Sequence, residues 1–230
     1  MRIWDIDPGF LNNQSLLGEH RELHGLLSIV LNQKKGYSKH PETLRWKAYI
    51  GSLGLRHELL VAEMMLRGFR HHSPVNFFEN TPAWPENFID PPAAQFAILK
   101  TKYTHKPPGR IPLPDTISQL WAHHKYSVMA RNPQAYQEIG RQVAHQQVTF
   151  AELALRLVKL LRLKPPRQRI VNAIDHLWGY VSEYAPQRNP PGDIWQTLRD
   201  IQQLAFEHRV EYLIHSTALG ELACWNRLEK

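Results

Sequence analysis

The chain has 230 residues, 43% of them hydrophobic and 21% charged, which is enough apolar surface for a folded core and argues against wholesale disorder. Its length allows one large domain or two small ones, and its single cysteine, Cys224, excludes a disulfide framework, a multi-cysteine zinc knuckle and a self-contained iron–sulfur site, pointing to a reducing compartment. A formal charge of +7 favours a polyanionic partner, with nucleic acid foremost, against the blander reading of a basic surface that serves only solubility.

The start, Met1-Arg2-Ile3-Trp4-Asp5-Ile6-Asp7-Pro8, lacks the apolar stretch of a signal peptide. No apolar run approaches the ~18 residues of a membrane span. A cytoplasmic, nucleoid-associated protein is therefore expected, with no membrane partner.

A first helix is expected over about 13–31, where Leu16, Leu23, Leu27 and Leu31 form one stripe with Leu17 and Val30 at its margins. The opposite side carries Ser15, Gly18, Glu22, Gly25 and Ile29, so the Glu22 carboxylate stands between two residues with no side chain to cover it and a bulky partner can approach. Arg21 lies beside it, Glu19 is three residues back, and His20 turns toward the core margin; a solvated polar face is the competing reading. A second helix is expected from His40-Pro41-Glu42 through Trp46, Ile50, Leu53, Leu60 and Met64 to a stop at Gly68, with Gly51 and Gly54 inside it. Lys34, Lys35, Lys39, Arg45 and Lys47 cluster around the intervening turn and could track phosphates, or form a solvated loop.

Between Asn76 and Asp115, Pro82, Pro85, Pro91, Pro92, Pro107, Pro108, Pro112 and Pro114 mark a connector, and Phe77, Phe78, Trp84, Phe88, Phe96 and Tyr103 suggest that it lies against a domain surface. Beyond it, Asp115 can cap a helix through Ala130, Asn132-Pro133 breaks it, and helical patterns cover roughly 134–145, 149–162, 167–184 and 193–228. Strand-type alternation is nearly absent. The expectation is an all-α protein of two small helical bundles, residues 1–110 with the connector and residues 115–230.

In the second half, His208, Glu211 and His215 fall on one expected helical face, with His123, His124 and His176 elsewhere, so a histidine–carboxylate metal site is conceivable beside the commoner reading of satisfied or surface histidines. The run Arg156, Lys159, Arg162, Lys164, Arg167 and Arg169 could extend a DNA footprint or form a solvated face.

Met1-Arg2-Ile3, Gln14, Leu16, Glu19-His20-Arg21-Glu22-Leu23 and Leu66-Arg67-Gly68-Phe69 resemble the pyrimidine-dimer DNA glycosylases of the endonuclease V type known from phage. The bacterial branch of that family is more similar still, in the Met-Arg-aliphatic-Trp start, Gly36-Tyr37, His40-Pro41-Glu42-Thr43, Arg56-His57 and His71-His72-Ser73-Pro74. The resemblance covers about residues 1–75. It implies excision of one base of an ultraviolet pyrimidine dimer in double-stranded DNA, followed by cleavage at the abasic site, without metal or cofactor. The nucleophile it implies is the α-amine of Met1, which the bulky Arg2 should keep from being removed. Glu22 is implied as general acid and base, Arg2 and Arg21 as holders of phosphates and the damaged strand, and Gln14 as a substrate-side residue. An α-amine ionises near 7.7–8.0 in model compounds, so about a tenth is neutral at pH 7, against less than about one part in a thousand of a lysine.

This chain departs from the phage pattern at Ser15, where a histidine is found, and at His24-Gly25, where Pro-Arg is found. The phage aromatic cluster near the lesion has no evident counterpart, although Trp84, Phe88 or Tyr103 could substitute. Residues 118–180, with Leu120-Trp121-Ala122-His123-His124-Lys125-Tyr126, Met129-Ala130, Tyr136, Gly140-Arg141, Asn172 and His176-Leu177-Trp178-Gly179-Tyr180, resemble the YbgA-like domain of unknown function. The resulting expectation is a DNA glycosylase and abasic-site lyase joined to a helical domain that binds DNA or a repair partner. Three alternatives stay open: a nucleic-acid-binding module without chemistry, a glycosylase or lyase for another lesion, and a separate metal-dependent activity in the second half.

Overall fold

The computed structural model describes residues 1–75, 83–185 and 192–228. Among the described residues there are eleven α-helices and no strand. An irregular ribbon opens the chain and ends in a 3-10 turn at Pro8–Phe10, where the Asp7 carboxylate accepts from the Gly9 N–H at 2.8 Å. The helices are α1 (Asn13–Leu31), α2 (Pro41–Trp46), α3 (Ile50–Leu66), α4 (Pro92–Lys102), α5 (Ile117–Met129), α6 (Pro133–Ala144), α7 (Phe150–Leu161), α8 (Arg167–Trp178), α9 (Ile194–Glu207), α10 (Glu211–Ile214) and α11 (Thr217–Leu228).

Local chemistry sets most of the ends. Asn12 caps α1 by accepting from the Ser15 N–H, and Thr116 and Thr149 cap α5 and α7 in reciprocal capping boxes with Gln119 and Glu152. The cap of α5 is thus Thr116, one residue beyond the expected Asp115. Helix α3 stops at Gly68, whose φ of 81° permits the reversal in which the Phe69 N–H reaches back to the Met64 carbonyl. The same reversal ends α1 at Gln33, α6 at Gln146 and α9 at Arg209, side-chain-bearing residues at φ of 49°, 54° and 52°.

Four expected elements differ, one being the helix expected over 167–184, which ends at Trp178 because the chain passes into turns over 179–184. The second helix is broken after Trp46 into α2 and α3, with Tyr49 at φ −128° and ψ 45° opening the latter. The connector contains a helix, α4, because Pro92 occupies its first turn, where no intrahelical N–H is needed; Phe77, Phe78 and Pro82 lie outside the described residues. The long final helix is three helices, since Arg209 in the left-handed region turns the chain out of α9. Leu31, expected on the buried stripe, is exposed at the end of α1, and Leu26 is buried instead.

Two apolar cores form. One joins Ile3, Phe10, Leu16, Leu23 and Trp46 to Phe96, Leu99, Leu120 and Leu153; the other joins Leu55 and Ala62 to Ile174, Leu198, Leu219 and Trp225. Packing therefore crosses residues 110–115, with α4 and α5 against α7, and α3 between α1 and α11. Buried ion pairs follow the same route. Glu63 accepts from Arg67 at 2.7 Å and from Arg110 at 2.7 Å, Arg110 continues to the Ile214 and Ser216 carbonyls, and Glu58 holds Arg227 at 2.8 Å. Burial works against the Glu63 charge, but Arg110 and Arg67 hold its carboxyl below the usual range.

Candidate active site at the amino terminus

A buried ribbon with no strand beside it must find other acceptors for its N–H groups. Four side chains supply them. Arg2 N–H donates to Glu22 Oε2 at 2.5 Å, Ile3 to Glu42 Oε1 at 3.1 Å, Trp4 to Glu19 Oε1 at 3.1 Å and Asp5 to Gln95 Oε1 at 2.8 Å. Three of these acceptors are held in turn. Arg56 grips both oxygens of Glu19 at 2.8 Å and reaches the Ile6 carbonyl with its third donor, also at 2.8 Å. Burial lifts the Glu42 carboxyl above its ordinary range, opposed by Arg45 and by the Ile3 N–H. The Asp5 side chain, itself buried, receives Arg45, Arg162 at 2.7 Å and Gln95 at 2.8 Å.

This clamp fixes where the chain starts. The α-nitrogen of Met1 lies 3.9 Å from Glu22 Oε1, and the Glu22 side chain is 42% exposed. Space above it is open, because a Cβ built at Gly18 or at Gly25 would meet nothing within 4 Å. The arrangement sets the amine of Met1, whose side chain is 9% exposed, beside a part-exposed carboxylate of α1.

The other expected DNA-facing residues divide into two groups. Gln14, Arg21, Lys34, Lys35, Lys39 and Lys47 are exposed. Arg2 is partly exposed, paired with Asp90 at 2.6 Å and lying 4.8 Å above the Trp4 ring. Arg45 is turned inward instead, onto Asp5, Glu42 and the Asn87 carbonyl, because the buried ribbon carboxylates need a cation. Arg162 is likewise bound to Asp5 and the Pro85 carbonyl, and Arg156 to Glu138 and Gln142. Lys159, Lys164, Arg167 and Arg169 are exposed. Of the aromatic candidates, Trp84 and Phe88 flank the Arg162 guanidinium at 5.0 and 5.1 Å, and the buried Tyr103 accepts from the Asn12 N–H at 3.0 Å.

The expected metal candidates His208, Glu211 and His215 do not converge. The turn at Arg209 removes the shared helical face; His208 stacks on Tyr184 at 4.2 Å between ring centroids, and His215 lies 6.2 Å from His123. Glu19, Glu42 and Gln95 were not among the expected site residues. For Glu19 a signal existed, since it shares the Leu16–Leu23 side of α1, and a carboxylate there needs a buried cation. Glu42 stood in the His40-Pro41-Glu42-Thr43 motif with no role attached, and nothing local in the sequence marks Gln95.

An all-helical fold carrying an amine–carboxylate pair at its first residue is the class of protein these features define. Residues 1–77 match the model of the family described as pyrimidine dimer DNA glycosylase, and residues 125–190 match that of a protein of unknown function (DUF1722), a YbgA-like domain. No curated protein and no solved structure matches the chain. The first match supports a DNA-repair function of the pyrimidine dimer glycosylase type, and with it binding to damaged DNA. No helix among the described residues is long and apolar enough to cross a membrane.

Proposed function

We propose that this chain removes a base from damaged duplex DNA, with the pyrimidine dimer as its lesion, and then cleaves the strand at the abasic sugar, using the Met1 α-amine as nucleophile and Glu22 as acid and base. The observation that carries this reading is the 3.9 Å separation of Met1 N and Glu22 Oε1, with Glu22 oriented by the Arg2 N–H. The amine lone pair forms a bond to the anomeric carbon as the bond from that carbon to the base breaks, and the base takes up a proton while staying joined to its dimer partner through the cyclobutane ring. Opening of the sugar ring, assisted by proton transfer from Glu22, leaves an imine joining Met1 to the sugar. That imine acidifies the adjacent carbon; Glu22 takes its proton, and the 3′ phosphate departs with its bonding electrons. Water then hydrolyses the imine and frees the amine.

The exposed Arg21, Lys34, Lys35, Lys39 and Lys47 provide phosphate contacts. Lys34, just past the end of α1, turns its ammonium back onto the Ser28 hydroxyl at 2.8 Å. Arg2 joins them by exchanging Asp90 for a phosphate. The second half holds the ribbon through Arg162 and through the packing of α5 and α7.

Borohydride reduction during reaction with dimer-containing, abasic and undamaged duplexes tests the proposal. An adduct on the first two whose mass maps to Met1, and which disappears when the amine is acetylated, is the expected result. An adduct mapping to a lysine, or none while damaged DNA is bound, overturns it, the latter leaving a binding module without chemistry.

A further inference from the structure

On the far side of α1 from the proposed active site, four imidazoles meet. His20 and His24 come from adjacent turns of α1, His57 from α3, and His71 from the segment that follows α3. Ring centroids are 4.7 Å apart for His20 and His24, 5.1 Å for His20 and His57, 5.2 Å for His20 and His71, and 5.1 Å for His57 and His71. One ligating atom from each ring lies within 4.8 Å of all the others. The Nε2 atoms of all four are buried, and none has a hydrogen-bond partner among the described residues.

Buried polar atoms are nearly always satisfied, so four unsatisfied nitrogens converging on one point require an explanation. The groups behind the rings supply the direction. His57 Nδ1 bonds Glu58 Oε1 at 2.9 Å, and the other Glu58 oxygen is held by Arg227 at 2.8 Å. A carboxylate can only accept, so the proton of neutral His57 sits on Nδ1 and its Nε2 presents a lone pair to the cluster. This is the arrangement by which carboxylates orient metal-binding histidines.

We infer that His20, His24, His57 and His71 form a closed, four-nitrogen binding site for a divalent transition metal, with Zn²⁺ the ion that the donor set fits best. Imidazole suits borderline cations, and a d¹⁰ ion accepts tetrahedral geometry without penalty. Bonds of about 2.0–2.1 Å place ligand nitrogens about 3.3 Å apart, so each ring needs to move inward by less than about 1 Å. Burial, reinforced by the neighbouring imidazoles, pushes His20 down to about 4 and depresses His24 and His71, which keeps these rings in the neutral form that can coordinate. Four protein ligands leave no open position for water, so the metal is structural. It ties α1, the helix that bears Glu22, to α3 and to the chain beyond it. Residues two apart on a helix point about 200° apart, which keeps His20 and His24 away from the Glu22 face.

The test uses the full chain without a histidine tag, stripped by a chelator and then loaded with Zn²⁺ or Co²⁺. One tightly held equivalent by elemental analysis is expected, and the Co²⁺ form should show the intense visible bands of a tetrahedral site. Both should be lost in His71→Ala, whose side chain lies outside any helix, and kept in His72→Ala. Zn²⁺ should raise the melting temperature of the parent by several degrees and leave that of His71→Ala unmoved. Less than a tenth of an equivalent in the parent, or Co²⁺ bands that survive both His57→Ala and His71→Ala, overturns the inference. None of these readouts involves DNA cleavage, so the site stands or falls separately from the proposed function.

Discussion

The main-chain N–H of Arg2 donates to Glu22 Oε2 at 2.5 Å, so the carboxylate that faces the terminal nitrogen is aimed by the residue next to that nitrogen. Aim and proton transfer can be separated. Glu22→Gln keeps an oxygen for the Arg2 N–H but cannot take a proton, and should slow cleavage of an abasic duplex by about 10²–10⁴-fold while affinity for that duplex stays within a factor of about three. Single-turnover cleavage beside an equilibrium binding titration measures both. Unchanged cleavage removes Glu22 from the chemistry.

Open space beside Glu22 makes a second prediction. Gly18→Ala and Gly25→Ala should each stabilise the protein by roughly 0.5–1 kcal/mol, because a helix-interior glycine is replaced and the new methyl clashes with nothing. Gly25→Trp should fold equally well yet lose about tenfold or more in affinity for damaged duplex, at least ~1.4 kcal/mol of binding free energy. Thermal melts and binding curves on the same preparations would check the pair.

Glu19 does two jobs in the interior, neutralising Arg56 and accepting from Trp4. Truncation leaves a buried guanidinium without its anion, so Glu19→Ala should cost about 3–5 kcal/mol in urea denaturation. A loss below about 1 kcal/mol would mean that water or another carboxylate takes over the pair.

Asp7 gives the fold a pH dependence. Its carboxyl is pushed up to about 7 from a reference value of 3.8, chiefly by burial and then by Glu63, against the Gly9 N–H and Arg110. Between those two values the native chain holds a proton at Asp7 that the unfolded chain has released, so this residue's contribution to stability falls as pH rises through the window and is level above it. Asp7→Asn retains an oxygen for Gly9 and has no such proton. It should match the parent near pH 4 and exceed it by a few kcal/mol at pH 8, since each step of one in pH across the window is worth about 1.4 kcal/mol. Denaturant midpoints measured from pH 4 to 8 would reveal the divergence; parallel curves would rule it out.

How much of this was legible depended on whether the cause was local. Helix α1 could be read because the leucine stripe and the small residues opposite it are contiguous, and the stop at Gly68 because glycine announces a positive φ. The stops at Gln33, Gln146 and Arg209 use the same backbone turn with residues that announce nothing, which is why α9, α10 and α11 read as one helix. Arg45 and Arg162 read as phosphate contacts because sequence shows charge but not its partner; Asp5, which holds both, is distant from each in the chain. The histidine cluster was invisible for the same reason, being assembled from α1, α3 and the chain after α3. Met1 and Glu22 were singled out through resemblance and α1 periodicity, whereas the part that Glu42 and Gln95 play in holding the ribbon became evident only in three dimensions.

Arg162 reaching back to Asp5, together with Phe10 lying 5.4 Å from the His124 ring and Phe96 packing 5.7 Å from Phe150, means that the amino-terminal half shares its packing with α5 and α7. A polypeptide severed near residue 112 would bare those rings to water and strip the opening ribbon of one of its cations. Any attempt to graft this amine onto another scaffold would have to carry α5 and α7 along as its buttress.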